Sequence, residues 1–142
     1  MAVPRFVDRS LGTLLGQATH ALYKEFDAHV RAAGLSSAQW RVLATLHDSE
    51  PLTISQLADE VLSKQPTVTK LVQRMAEQRW LVLQTDATDQ RRTLVAASAA
   101  GKRLVKPLVR QARQHEARML GALGAAEEAV LRKLLGKLRY HY

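Results

Sequence analysis

Two groups of side chains in this chain of 142 residues are placed where they could do chemistry, and both suit holding a partner rather than transforming one. Gln65, Thr67, Thr69, Lys70, Gln73 and Arg74 recur on one side of a segment whose other side is Val68, Leu71, Val72 and Met75. Amides, hydroxyls and cations in that pattern supply the donors and acceptors that fit base edges and phosphates in a major groove. The same polar face also suits an ordinary solvated helix. Gln90, Arg91 and Arg92 form the second group, at or just after the tip of an expected hairpin. A long cationic side chain there stands clear of the fold and can enter a minor groove.

Residue types used in hydrolytic or metal chemistry are present without the spacing that chemistry needs. The histidines, His20, His29, His47, His115 and His141, include no pair at i, i+4. Ser10, Ser36, Ser37, Ser49, Ser55, Ser63 and Ser98 fall in caps, turns or helix faces, with no strand-to-helix nucleophile elbow. There is no glycine-rich phosphate loop. With no cysteine, disulfides, thiolate metal sites and thiol redox sensing are excluded. The expectation is a protein that is not an enzyme and carries no cofactor or metal.

The elements that must position the two groups follow from local signals. Thr53 with Gln56 makes a capping box for a short helix with an apolar stripe of Ile54, Leu57, Ala58, Val61 and Leu62. Ser63 is the expected N-cap of the next helix, and Pro66 falls in its first turn, where the missing N–H costs nothing. Trp80 to Thr85 is rich in strand formers, Asp86 to Asp89 supplies turn chemistry, and Arg92 to Ala97 reads as the return strand. Asp89 is expected to shape the turn that presents Arg91. Helix, helix, hairpin is the order of a winged helix-turn-helix.

At these residues the chain resembles the MarR family of bacterial transcription regulators, named for multiple antibiotic resistance. The resemblance rests on Leu35-Ser-Ser-Ala-Gln-Trp-Arg-Val-Leu43, on Gln65-Pro-Thr-Val-Thr-Lys-Leu-Val-Gln-Arg-Met75 and on Asp86-Ala-Thr-Asp-Gln-Arg-Arg92, with Ser98-Ala-Ala-Gly101 opening the following helix. It implies a mainly α fold with a small β-hairpin wing: a winged helix-turn-helix lobe plus long N- and C-terminal dimerisation helices. It also implies DNA contacts at Gln65, Pro66, Thr67, Thr69, Lys70, Gln73, Arg74, Asp89, Arg91 and Arg92. A small aromatic acid effector, bound between the dimer helices and the lobe, is a further implication of the resemblance. His20, Tyr23, Trp40 and Arg41 are the candidate effector residues, combining aromatic walls with donors and a cation. Trp40 also reads as core, His20 as an interface residue, and Arg41 as the partner of a phosphate or an acid. Gly124 at the start of the last helix and Pro107 within the long helix depart from the family pattern.

Composition agrees. The formal charge of +8 and the pI near 10.3 point to a polyanionic partner, though basicity alone does not separate DNA from RNA or an acidic membrane surface. Six Lys or Arg face three acids between Ser63 and Arg92, and six face one between Gly101 and Arg118. The second cluster reads as the solvated side of a helix. No 18 apolar residues run together and the N-terminus lacks a signal-peptide core, so a soluble cytoplasmic protein without membrane attachment is expected. Long helices are expected from Asp8 to Ala33, stopped by Gly34, from Ala99 to Leu123 with a kink at Pro107, and from Ala125 to Arg139. Between the first of these and the lobe, Ser36 with Gln39 caps a helix that Pro51 ends. The terminal helices' wide apolar faces call for a second copy of the chain. The organisation is then one domain, 1–142, with a lobe at 35–98 and dimerisation helices at 1–34 and 99–142.

The expected function is a homodimeric, sequence-specific regulator on double-stranded DNA, a ligand-responsive repressor of a palindromic operator. A basic winged-helix module for RNA binding or protein docking is the alternative. It lacks aromatic stacking platforms, since aromatics make up 5% of residues and none falls between Gln65 and Arg79.

Overall fold

Among the described residues, 2–139, the computed structural model holds seven helices and three short strands. In chain order they are α1 (Phe6–Arg9), α2 (Leu11–Ala32), α3 (Ser37–Leu46), β1 (Leu52–Thr53), α4 (Ile54–Glu60) and α5 (Gln65–Glu77). β2 (Leu81–Thr85), β3 (Thr93–Ala97), α6 (Ala99–Leu120) and α7 (Ala125–Arg139) follow. This is the mainly helical fold with a winged helix-turn-helix that the sequence predicts.

The helix starts are set by side-chain caps. Ser36 Oγ accepts from Gln39 N at 3.1 Å while Gln39 Oε1 accepts from Ser36 N at 2.9 Å, and Thr53 with Gln56 repeats the box at 3.1 and 3.0 Å. Ser98 Oγ accepts from Gly101 N at 3.0 Å and donates to the Arg79 carbonyl at 2.7 Å, so one hydroxyl opens α6 and ties it to the end of α5. At Gly124, which has no side-chain oxygen, Glu127 supplies half a box by accepting from the Gly124 N–H at 3.0 Å.

Several boundaries differ from the sequence reading. The first helix does not run unbroken from Asp8: Ser10 is extended, ends α1, and accepts from Thr13 N at 3.4 Å to start α2. Ser63 does not cap α5. Leu62 adopts φ 58° and the Ser63 N–H returns to the Ala58 carbonyl at 3.0 Å, a helix stop that consumes both residues and leaves Lys64 at the N-cap. Leu62 therefore leaves the apolar stripe of α4 and is 86% exposed. The hairpin strands begin at Leu81 and Thr93, one residue later than read: the Trp80 N–H returns to the Met75 carbonyl at 3.0 Å to close α5, and Arg92 pairs within the turn, its carbonyl accepting from Asp86 N and its N–H reaching Asp89 O, each at 3.0 Å. A third strand was not read at all. β1 pairs antiparallel with β3, Leu52 opposite Val95, giving the order β1-β3-β2. α3 ends at Leu46, ahead of Pro51, and α6 runs on through Pro107 but stops at Leu120, three residues before Leu123.

Two compact units divide the chain: Glu25–Gln111, and the chain ends up to Lys24 and from Ala112 onward. The winged unit holds every fully buried apolar side chain among the described residues. Phe26, Leu43, Leu46, Leu57, Val68, Val72, Met75, Val95 and Val105 are its centre. In the helical unit neither α1 nor α7 buries a residue, and Leu11, Leu14, Leu15, Val130, Leu131, Leu134, Leu135 and Leu138 are exposed.

Candidate nucleic-acid interface

α5 is amphipathic in the sense the spacing predicts. Val68, Val72 and Met75 are buried and Leu71 half-buried, while Gln65, Pro66, Thr67, Lys70, Gln73 and Arg74 are exposed and Thr69 is half-buried. Pro66 lies in the first turn, and no acid accompanies it there. The positive end of the 13-residue helix dipole is thus bare for an anion. Thr69 Oγ1 donates to the Gln65 carbonyl at 2.9 Å, so its hydroxyl offers a partner only lone pairs, whereas Thr67 remains free in both senses.

The wing turn is organised by two aspartates. Asp86 Oδ1 accepts from the Thr88 N–H at 2.9 Å and its hydroxyl at 2.8 Å, and these bonds hold the Asp86 carboxyl below the usual carboxylate range. Asp89 accepts from Arg91 Nε at 3.1 Å and from the Arg91 backbone N–H at 3.0 Å, and lies 3.6 Å from Arg92 Nε. The Arg91 side chain, then its backbone N–H, keeps the Asp89 carboxyl low as well. Asp89 therefore faces its neighbours in the turn, and the arginines face solvent.

The start of α4, the start of α5 and the wing enclose an open groove of about 550 Å³. Gln65, Thr69, Arg91 and Arg92, chosen from sequence, line it together; Pro66, Thr67, Lys70, Gln73, Arg74 and Asp89 are not in its lining. Thr53, Ile54, Ser55, Gln56 and Thr93 also line it and were missed. The sequence signals for them were the capping box, which puts Thr53 to Gln56 at the start of the helix preceding α5, and, for Thr93, its place in the return strand next to Arg92. Hydroxyls, amides and two guanidinium groups converging without an acid in the lining suit a phosphodiester backbone.

The other sequence candidates fall elsewhere. His20 and Tyr23 are exposed on α2 within the helical unit. In the winged unit, Trp40 is 7% exposed and edge-on to Phe26 at 5.0 Å, and Arg41 is exposed with no ion pair among the described residues. His47 Nδ1 lies 2.8 Å from the Ala44 carbonyl, and His141 lies outside the described residues. Among the described residues no group of three or more His, Cys, Asp or Glu is placed to hold a metal, and no helix is long and apolar enough to cross a membrane.

Comparison with known proteins fits this geometry. The MarR family profile matches residues 33–92, from the end of α2 to the wing turn. A solved MarR family transcriptional regulator from Silicibacter pomeroyi is 35% identical, covers 95% of this chain and 99% of its own, and superposes with a TM-score of 0.81. The chain belongs to the MarR family. It is a DNA-binding transcriptional regulator of that family and works by binding, not catalysis. The repressor NicR of Pseudomonas putida is 27% identical over 135 residues, covering 95% of this MarR-family chain and 85% of NicR. BpsR of Bordetella bronchiseptica, solved in a study of DNA-binding regulation by 6-hydroxynicotinic acid, is 26% identical, with a TM-score of 0.81 over 99% of this chain and 100% of its own.

Proposed function

We propose that this MarR-family regulator is a homodimeric repressor that reads a palindromic operator in duplex DNA and releases it when a small aromatic acid binds. The observation that carries the DNA-reading geometry is the groove shared by Gln65 and Thr69 of α5 with Arg91 and Arg92 of the wing. It joins a base-reading face to cations suited to a minor groove. Support for the dimer is the helical unit's apolar surface, where Val130, Leu134 and Leu138 stand at least 50% exposed at helical spacing. A second copy covering that surface puts two recognition helices on successive major grooves about 34 Å apart.

An aromatic acid effector is in keeping with BpsR, whose DNA binding is regulated by 6-hydroxynicotinic acid. Within the winged unit, Arg41, an exposed guanidinium without an ion pair among the described residues, is the candidate for the effector carboxylate, and Trp40 beside it in sequence is carried as an effector residue; His20 and Tyr23 of the helical unit are carried as candidates in their own right. The effector acts by differential affinity for two spacings of the recognition helices, of which only one matches the operator. The site of action is the cytoplasm. Selection of binding sites from random duplexes by the purified protein tests the reading, with an inverted repeat as the expected outcome. Equal competition by single-stranded or structured RNA would favour an RNA-binding winged helix instead.

A further inference from the structure

Lys102, Arg103, Lys106 and Arg110 stand on α6, apart from the recognition helix and the wing. All four are exposed, all belong to the winged unit, and none pairs or hydrogen-bonds through its side chain with any described residue. At 3.6 residues per turn they fall within one arc of roughly 100°. Gly101, Val105 and Leu108 bury the other side of the helix.

An ordinary solvated face intersperses charges of both signs. Here no Asp or Glu occurs from residue 99 to residue 115. The arrangement also works against the helix. Lys102 with Lys106, and Lys106 with Arg110, are like charges at i, i+4, and Arg103 with Lys106 is a like pair at i, i+3. Lys102 and Arg103 further sit near the positive end of the helix dipole, where cations are disfavoured, and the first turn holds no acid to offset them. A stripe that weakens its own helix and has no internal partner is explained by an external polyanion.

We propose that this stripe is a second surface for duplex DNA, taking phosphates outside those reached by α5 and the wing. The inference rests on the DNA-reading geometry above. Duplex DNA is favoured over an acidic protein because α6 begins one residue after β3, the wing's return strand, and the stripe lies in the same compact unit as the base-reading helix. From Lys102 to Arg110 the stripe extends about 12 Å at the α-helical rise. That length spans about three and a half steps of one strand at about 3.4 Å each, room for the two to three phosphate contacts assigned to the stripe. The contacts add affinity and salt dependence without base preference.

The test uses the full-length protein with Lys102→Gln, Arg103→Gln, Lys106→Gln and Arg110→Gln combined. Binding is followed by fluorescence anisotropy over a salt series, on the selected operator alone and on the operator extended by flanking duplex. The expected result is an unchanged circular dichroism spectrum, a melting temperature at or slightly above that of the wild type because the like-charge pairs are gone, unchanged base preference, and about tenfold weaker binding to the extended duplex. The plot of log affinity against log salt becomes shallower by about two units per protomer. A charge-retaining control, Lys106→Arg with Arg110→Lys, keeps the wild-type slope. Wild-type affinity and slope in the neutralised variant overturn the inference while leaving the base-reading geometry intact, and absence of duplex binding by the wild type overturns that geometry itself. Polyglutamate bound by the wild type and lost by the variant, with DNA binding unaltered, assigns the stripe to an acidic protein and overturns the DNA assignment.

Discussion

The Arg91 guanidinium is tethered to the carboxylate of Asp89, Nε to Oδ1 at 3.1 Å, while its side chain remains 90% exposed. A free surface arginine loses rotamer entropy when it docks, and the tether removes part of that loss in advance. Arg91→Ala should lower operator affinity and flatten the salt dependence by up to about one unit per protomer. Asp89→Asn is the sharper test, because it makes the wing more positive yet frees the arginine. Weaker binding by Asp89→Asn in a salt-series titration is expected; tighter binding would mean that net charge, not presentation, governs the wing.

The same aspartates make the wing acid-sensitive. Asp86 and Asp89 have folded pKa values below their ordinary ones, so their contribution to stability is present above the unfolded carboxylate value, about 3.9, and is lost as pH falls through the folded values. Amide exchange at Thr88 and Arg91, whose N–H groups the two carboxylates hold, should accelerate relative to that of core amides below about pH 4 and show no such change between pH 6 and 8. Protection retained at low pH would show that the turn holds without ionised carboxylates.

The stripes of α3, α4 and α5 were legible because a buried face repeats every three to four residues, and both capping boxes because their two bonds lie within four residues of sequence. What escaped the reading depends on tertiary placement or on a rare backbone state. β1 is two residues long and exists only because β3 lies beside it. Leu62 at φ 58° follows no propensity, since a branched apolar side chain disfavours that conformation. Ser55 and Thr93 are 38 positions apart and meet only where the wing folds back beside the helices. Arg91 was legible as a tip cation and Asp89 as the residue that shapes its turn; the direct side-chain bond between them was not.

Gly101 was read as a helix-opening signal, and its place in the fold is stricter than that. A Cβ there would collide with the Trp80 carbonyl oxygen and stand 3.1 Å from the carbonyl carbon and 3.2 Å from Leu43 Cδ2. Backbone cannot step aside as a flexible side chain would. Gly101→Ala should therefore destabilise the protein by about 1–3 kcal/mol, despite the higher helix propensity of alanine. Chemical denaturation measures it, and a stabilised variant would mean that the α6 start and Trp80 separate at little cost.

On α5 the expected effects divide by chemistry. Thr67→Ala and Gln65→Ala should each relax sequence preference and cost about 1–3 kcal/mol at the affected base. Thr69→Ala should matter only where the base donates, because its own proton is spent on the Gln65 carbonyl. Lys70→Ala and Arg74→Ala should weaken all duplexes evenly. Binding-site selection repeated with each variant reports both effects. Base-specific loss confined to Arg74 would place a different face of the helix in the groove.

The last expectation concerns assembly. Val130, Leu134 and Leu138 recur every four residues on α7 and are all at least half exposed in the single chain, so polar replacements there remove little burial from the monomer. If a second copy covers them, Val130→Glu, Leu134→Glu and Leu138→Glu combined places six uncompensated carboxylates in an apolar interface, three from each protomer. Desolvating those charges is far costlier than the lost contacts. Sedimentation should show the wild type as a dimer and the variant as a monomer that keeps its helical circular dichroism. Its operator affinity should fall steeply, because one recognition helix then binds without its symmetry mate. A variant that still sediments as a dimer would move the interface away from this face of α7, and a wild type that is monomeric at operator-binding concentrations would remove the paired-helix mechanism.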